Sequence, residues 1–162
     1  MLTLRRPELF LERELAQTAG VFQLLPRLDL QQDRTSRALP NVTIMVVDDN
    51  EQSRSIAARM LRDEGYRVIE AQSGEQALDR LTGTDDVHVV LTDIAMPGGI
   101  DGLELARRVT ALSPWRRVVL MSGYARIFPQ LNTSAVPYPL LIKPFAADQL
   151  AHQISEVLEG MN

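Results

Sequence analysis

Five polar residues, far apart in the chain, each follow an apolar run: Asp48 and Asp49 after TIMVV, Asp93 after VHVVLT, Ser122 after RVVLM and Lys143 after PLLI. In an open parallel sheet, ligands bind beyond the carboxyl ends of the strands. If the apolar runs are such strands, three carboxylates, a hydroxyl and an ammonium meet at one edge. Two carboxylates about 4 Å apart repel by roughly 4 kcal/mol at an effective dielectric of about 20, so the group needs a cation or a proton. A hard divalent ion meets that need, and Mg²⁺ suits an all-oxygen site with no His or Cys. Phosphoryl transfer then requires little more than a placed nucleophile and countercharge. In this reading Asp93 is the nucleophile and forms an acyl phosphate, Lys143 neutralises one phosphoryl oxygen, and Ser122 hydrogen-bonds another.

Each residue also has a plainer explanation. Asp48 and Asp49 suit a solvated turn or a helix N-cap ahead of RSIAARML, Asp93 and Ser122 suit turns, and Lys143 suits a surface position. The convergence of all five outweighs these separate readings. Pro144 adds to it, because it restricts Lys143 to extended backbone and fixes its direction. His88 lies inside a strand pattern and His152 in the last helix pattern, so they read as structural and surface residues rather than a metal pair. Trp115 reads as a packing residue at a sheet edge.

From Thr43 onward, strand-length apolar runs alternate with helical stretches, the pattern of βαβ units and a parallel sheet. Strands are expected at 43–47, 67–71, 87–91, 117–121 and 139–142, several β-branched and apolar throughout, as strands covered on both faces should be. Ser73 with Gln76, and Asp101 with Glu104, form capping-box signatures that start two of the helices. Ile56, Ala57, Met60 and Leu61 give the first helix a buried stripe, and Leu150, Ile154, Val157 and Leu158 give one to the last. Pro129 makes any helix between Tyr124 and Leu131 short or broken. Right-handed crossovers join these units into a doubly wound five-stranded parallel α/β sheet.

The chain has 162 residues, 45% of them hydrophobic and 23% charged, which suits one soluble domain and a short extra segment. It has no cysteine, which removes disulfides, thiolate metal sites and a Cys nucleophile and fits a reducing compartment. The N-terminal MLTLRRPELFLERELAQ carries Glu8, Glu12 and Glu14 among its leucines, so it lacks the apolar core of a secretory signal. No membrane span is expected, and a cytoplasmic location is the default. A net charge of −4 offers no basic surface for direct nucleic-acid binding.

The motifs MVVDDNE, LTDIAMPGGIDGLEL, MSGY and LIKPF, in this order over roughly 42–160, resemble those of response-regulator receiver domains. The resemblance implies a flavodoxin-like fold and Mg²⁺ held by one or both of Asp48 and Asp49, by Asp93 and by the backbone carbonyl of Ala95. It also implies phosphorylation of Asp93 by a histidine kinase, and switching through Ser122 and Lys143. A phosphorelay intermediate, exchanging the group with a histidine phosphotransfer protein, fits the same residues. Two departures stand out. Leu140 occupies a position where many receivers have a rotating aromatic, which leaves Tyr124 or the 123–137 segment as candidate reporters. The pair Gly98–Gly99 adds one residue to the usual loop, a change expected to affect its shape rather than its chemistry. No output domain is expected after Lys143, so signalling should run through protein contacts or through the N-terminal segment. The competing function is a small-molecule phosphatase or phosphotransferase with an Asp nucleophile, of the haloacid-dehalogenase kind. Such enzymes carry the nucleophile on the first strand with a second Asp two residues on, whereas Asp48 and Asp49 are adjacent.

Residues 1–40 differ from the rest. The spacing of Leu11, Leu15, Thr18, Phe22 and Leu25 predicts an apolar helical seam within an arm at 1–30, and the polar run ending at Pro40 predicts a linker at 31–40, ahead of the receiver at 41–162. An isolated helix of this length is marginal in water, and Gly20 weakens it further by about 1 kcal/mol, so the arm should need a partner. A homodimer through this arm is the favoured expectation.

Overall fold

The computed structural model describes residues 41–84, 86–123 and 137–160. The expected arm, its linker, Tyr124 and Pro129 lie outside the described residues. In chain order the elements are β1 (Thr43–Val47), α1 (Glu51–Asp63), β2 (Arg67–Ala71), α2 (Gly74–Thr82), β3 (Val87–Asp93), α3 (Gly102–Leu112), β4 (Arg117–Ser122), β5 (Leu140–Ile142) and α4 (Ala147–Glu159). The strands form one sheet in the order β2-β1-β3-β4-β5, with every pairing parallel. The expected doubly wound five-stranded sheet is therefore the fold. No helix among the described residues is long and apolar enough to cross a membrane.

Strand alternation divides the core between the two faces of the sheet. Ile44 and Val46 of β1 join Val89, Leu91, Val119 and Met121 on the face covered by α1 and α4. Met45 and Val47 join Val90, Val118 and Leu120 on the face covered by α2 and α3. All of β1 is buried, which is why it reads as an unbroken apolar run. Each such Val, Ile or Met stabilises the fold by about 1.5–3 kcal/mol relative to exposure.

The limits expected for β1 and β2 are those observed. β3 and β4 run further, because parallel pairing continues through Asp93 opposite Met121 and Ser122 opposite Ile142. Asp93 and Ser122 thus end their strands rather than follow them. At the start of β3 the register with β1 slips between Thr43 and Ile44. His88 sits at that slip, and its Nδ1 accepts the Thr43 N–H at 3.2 Å, a structural role in keeping with its reading from sequence.

Ile56 departs from expectation. The sheet-facing stripe of α1 is Ala57, Ala58 and Leu61, while Ile56 is 49% exposed and Met60 only partly buried. Ile56 lies one residue, about 100° of helical turn, to the side of Ala57, and that rotation directs it into a groove beside the strand ends. The helix starts form as expected in one half of each capping signature. Ser73 Oγ accepts the Gln76 N–H and Asp101 Oδ1 accepts the Glu104 N–H. The returning halves differ: Gln76 Oε1 accepts from the Gln72 N–H, and the Glu104 carboxylate pairs instead with Arg107 and Arg108, its i+3 and i+4 neighbours.

Candidate functional site

β1 and β3 are neighbours at the centre of the sheet, and there the strand order reverses. Their carboxyl ends face the crevice in which open α/β sheets bind ligands. Val47 pairs with Thr92, so the next residue on each strand, Asp48 and Asp93, reaches the edge side by side. Both are buried, whereas Asp49 is exposed. Carboxylate oxygens of Asp48, Asp49 and Asp93 lie within 4.8 Å of one another. Lys143, directly after β5, sends its Nζ to Asp48 Oδ2 and to Asp93 Oδ1, each at 2.7 Å. Its backbone N–H bonds the Ser122 carbonyl at 2.9 Å, and the peptide joining it to Pro144 is cis.

The chain braces each acid locally. Asp48 Oδ1 accepts the Asn50 N–H at 2.9 Å, and Oδ2 accepts the Ser53 hydroxyl at 2.7 Å as well as Lys143. Arg54 binds the Asp48 carbonyl at 2.8 Å and pairs with Glu70 at 3.4 Å. Asp93 Oδ2 accepts the Ala95 N–H at 3.1 Å, and the Thr92 hydroxyl donates to the Asp93 carbonyl at 3.0 Å. α3 begins hard against this strand end, for a Cβ on Gly102 would lie 2.0 Å from the Asp93 carbonyl oxygen. Only glycine allows that approach.

Burial pushes the Asp93 carboxyl above its ordinary range. The bond and charge of Lys143 oppose the rise, and the neighbouring Asp48 charge adds to it. For Lys143, burial is the largest single influence and acts downward, but its bonds and attraction to Asp48 and Asp93 outweigh it and raise the ammonium's pKa. One ammonium shared by two carboxylates thus secures its own proton without offsetting the burial of Asp93. The cluster keeps an excess of negative charge, and all its side-chain donors are oxygens, the donor set of a hard divalent cation.

Of the residues singled out from sequence, Asp48, Asp49, Asp93 and Lys143 meet directly, Ala95 joins through its amide, and Ser122 ends the adjacent strand with its side chain buried. Asn50, Ser53 and Arg54 were not singled out. Asn50 had a signal as a helix cap, and its Oδ1 accepts the Ser53 N–H in that role. For Ser53 and Arg54 no sequence pattern exists, since their contacts depend on the first turn of α1 folding over Asp48. A groove of about 450 Å³ opens above the acids, walled by Ile56, Met60, Pro144 and Phe145.

A family model described as the response regulator receiver domain matches residues 44–155. The response regulator receiver protein CpdR of Brucella abortus is 31% identical over 116 residues, covering 71% of this chain and 95% of CpdR. The sensor kinase CckA of the same organism is 33% identical over 121 residues, covering 74% of this chain, and the chain spans 13% of CckA. Among solved structures, the response regulator TrrA from Thermotoga maritima, in complex with Mg²⁺ and a beryllium fluoride, aligns with a TM-score of 0.62 at 29% identity, over 72% of this chain and 98% of that one.

Proposed function

The chain belongs to the response-regulator receiver family of two-component systems, and from that membership we propose that Asp93 accepts a phosphoryl group from a phosphohistidine on a kinase or a phosphotransfer protein. The observation that carries this is the Lys143 ammonium, 2.7 Å from both Asp48 and Asp93 at the floor of an open groove. An Asp93 oxygen attacks phosphorus as the bond from phosphorus to the donor's imidazole nitrogen breaks. Lys143, already held between the two acids, offsets charge on one phosphoryl oxygen, and Ser122, at the end of the adjoining strand, hydrogen-bonds another.

The acids fit Mg²⁺, with Asp48, Asp49, Asp93 and the Ala95 carbonyl as its ligands, Asp48 directly or through water. Bound there, the ion supplies countercharge to the phosphoryl oxygens. A donor histidine must come within bonding distance of Asp93, and Ile56, Met60 and Phe145 give it an apolar wall to rest against. The protein then signals through altered contacts, as a stand-alone regulator or a relay intermediate. It is cytoplasmic and turns over no small substrate beyond hydrolysis of its own acyl phosphate.

The test is Mg²⁺-dependent labelling by acetyl phosphate, read by intact mass. Wild type gains one phosphoryl group and Asp93→Asn gains none; labelling of Asp93→Asn at the wild-type rate overturns the assignment. Rapid turnover of p-nitrophenyl phosphate supports the phosphatase alternative instead.

A further inference from the structure

The segment from Ile94 to Asp101 joins the end of β3 to α3 and contains Ala95, whose amide holds Asp93 Oδ2. It begins and ends on itself: the Met96 and Gly102 amides both bond the Ile94 carbonyl, at 3.2 and 3.1 Å. Between those points run Gly98, with φ of 87°, and Gly99. The middle of the loop is held from outside. Glu75, in the first turn of α2, accepts the Ile100 N–H on Oε1 at 2.8 Å. The fit is close on both sides, because a Cβ on Gly99 would lie 2.1 Å from that same oxygen and a Cβ on Gly74 would lie 2.6 Å from the Ile100 carbonyl. The bond to Ile100, with lesser ones to its own amide and Ser73, holds the Glu75 carboxyl below the usual range, so the acceptor is ionised at neutral pH.

We propose that Glu75 is a positioning residue for the phosphoacceptor: its carboxylate clamps the loop through the Ile100 amide and against Gly99, and so fixes Ala95 and, through it, the Asp93 carboxylate. The loop's shape and the site's chemistry are then coupled, and the absence of a side chain at Gly99 leaves room for the Glu75 carboxylate. The proposal rests on the phosphoacceptor reading for its kinetic consequence but not for its geometry.

The full-length chain is tested as wild type, Glu75→Ala, Glu75→Gln, Gly99→Ala and the Glu75→Ala/Gly99→Ala pair, with acetyl phosphate and Mg²⁺. Glu75→Ala slows labelling of Asp93 by about tenfold, as loss of a residue supporting a reactive group commonly does, while its thermal midpoint stays near wild type. Glu75→Gln, which keeps an oxygen in the same place, recovers most of the rate. Gly99→Ala slows labelling in the wild-type background by displacing the carboxylate, and adds nothing further in the Glu75→Ala background. A wild-type rate for Glu75→Ala, or an equal loss from Gly99→Ala in both backgrounds, overturns the clamp. If wild type itself takes no label at Asp93, the phosphoacceptor reading fails, and the clamp is judged by hydrogen exchange at the Ile100 amide: faster exchange in Glu75→Ala upholds it and unchanged exchange ends it.

Discussion

The two ends of the sheet each bury charge, and they treat it in opposite ways. At the amino end of the strands, Arg116 is 4% exposed, with its guanidinium bonded to the carbonyls of Val87, Leu81 and Thr84 and to the Ser113 hydroxyl. Trp115 stacks over it at 4.9 Å and meets His88 edge-on at 6.1 Å. The planar fork of arginine matches several fixed acceptors at once, so its burial tightens the turns around it. At the carboxyl end, Asp48 and Asp93 share one ammonium and have Asp49 beside them. One end has its donors met by fixed acceptors, and the other keeps a surplus of negative charge that a bound cation or a proton can relieve. A fold can carry such a surplus because the opposite end and the two apolar layers hold the strands in place.

The largest expected effect belongs to the satisfied end. Arg116→Ala leaves several buried carbonyls without their donor and should destabilise the protein by about 3–5 kcal/mol. Urea unfolding should show the same loss with and without Mg²⁺. A loss that Mg²⁺ repairs would erase the distinction between the two ends. Lys143→Ala comes next. It strands two buried carboxylates, but the lysine is partly exposed, so about 2 kcal/mol is expected in metal-free buffer. Here Mg²⁺ should restore most of the stability, because a cation that binds only the folded state stabilises it by mass action. If Lys143→Ala is equally destabilised at every Mg²⁺ concentration, the carboxyl end is not a cation site.

Much of this was legible in the sequence, for reasons that differ between residues. β1 could be delimited because a strand buried throughout has little freedom to be anything but apolar and β-branched, while the edge strand β2 keeps Arg67 and Glu70 and was marked by Val68 and Ile69 at its centre. Asp48, Asp93 and Lys143 were legible as the polar residues that break those runs at a common edge. Ile56 was misplaced, because periodicity marks which residues are apolar and not whether an apolar face meets the sheet or lines a groove. Arg116 was not singled out at all: beside another arginine and a tryptophan it reads as solvated surface, and its burial depends on turns far away in the chain. Glu75 was not singled out, although it sits inside the helix start marked by Ser73 and Gln76. Its bond to Ile100 spans two connections that only the folded sheet brings together.

The smallest effect, and the most discriminating in sign, is that of Asp93→Asn on the stability of the metal-free protein. Burial raises the Asp93 carboxyl above its ordinary value despite the Lys143 bond. Between the unfolded and folded pKa values, the folded state therefore holds more protons than the unfolded state, and stability falls as pH rises through that window. The penalty persists at neutral pH, where the folded protein must keep a carboxylate that burial disfavours. Asparagine occupies the same space without a charge to desolvate, so Asp93→Asn should be more stable than wild type at neutral pH. The advantage should vanish in acid below the ordinary carboxylate range, where Asp93 is protonated in both states. Adding Mg²⁺ should also shrink it, because wild type then gains a cation that the variant holds less well. Urea unfolding across pH, with and without Mg²⁺, measures all of this. An Asp93→Asn protein less stable than wild type in metal-free neutral buffer would mean that Lys143 neutralises Asp93 in full, and that the carboxyl end of the sheet is as satisfied as the end held by Arg116.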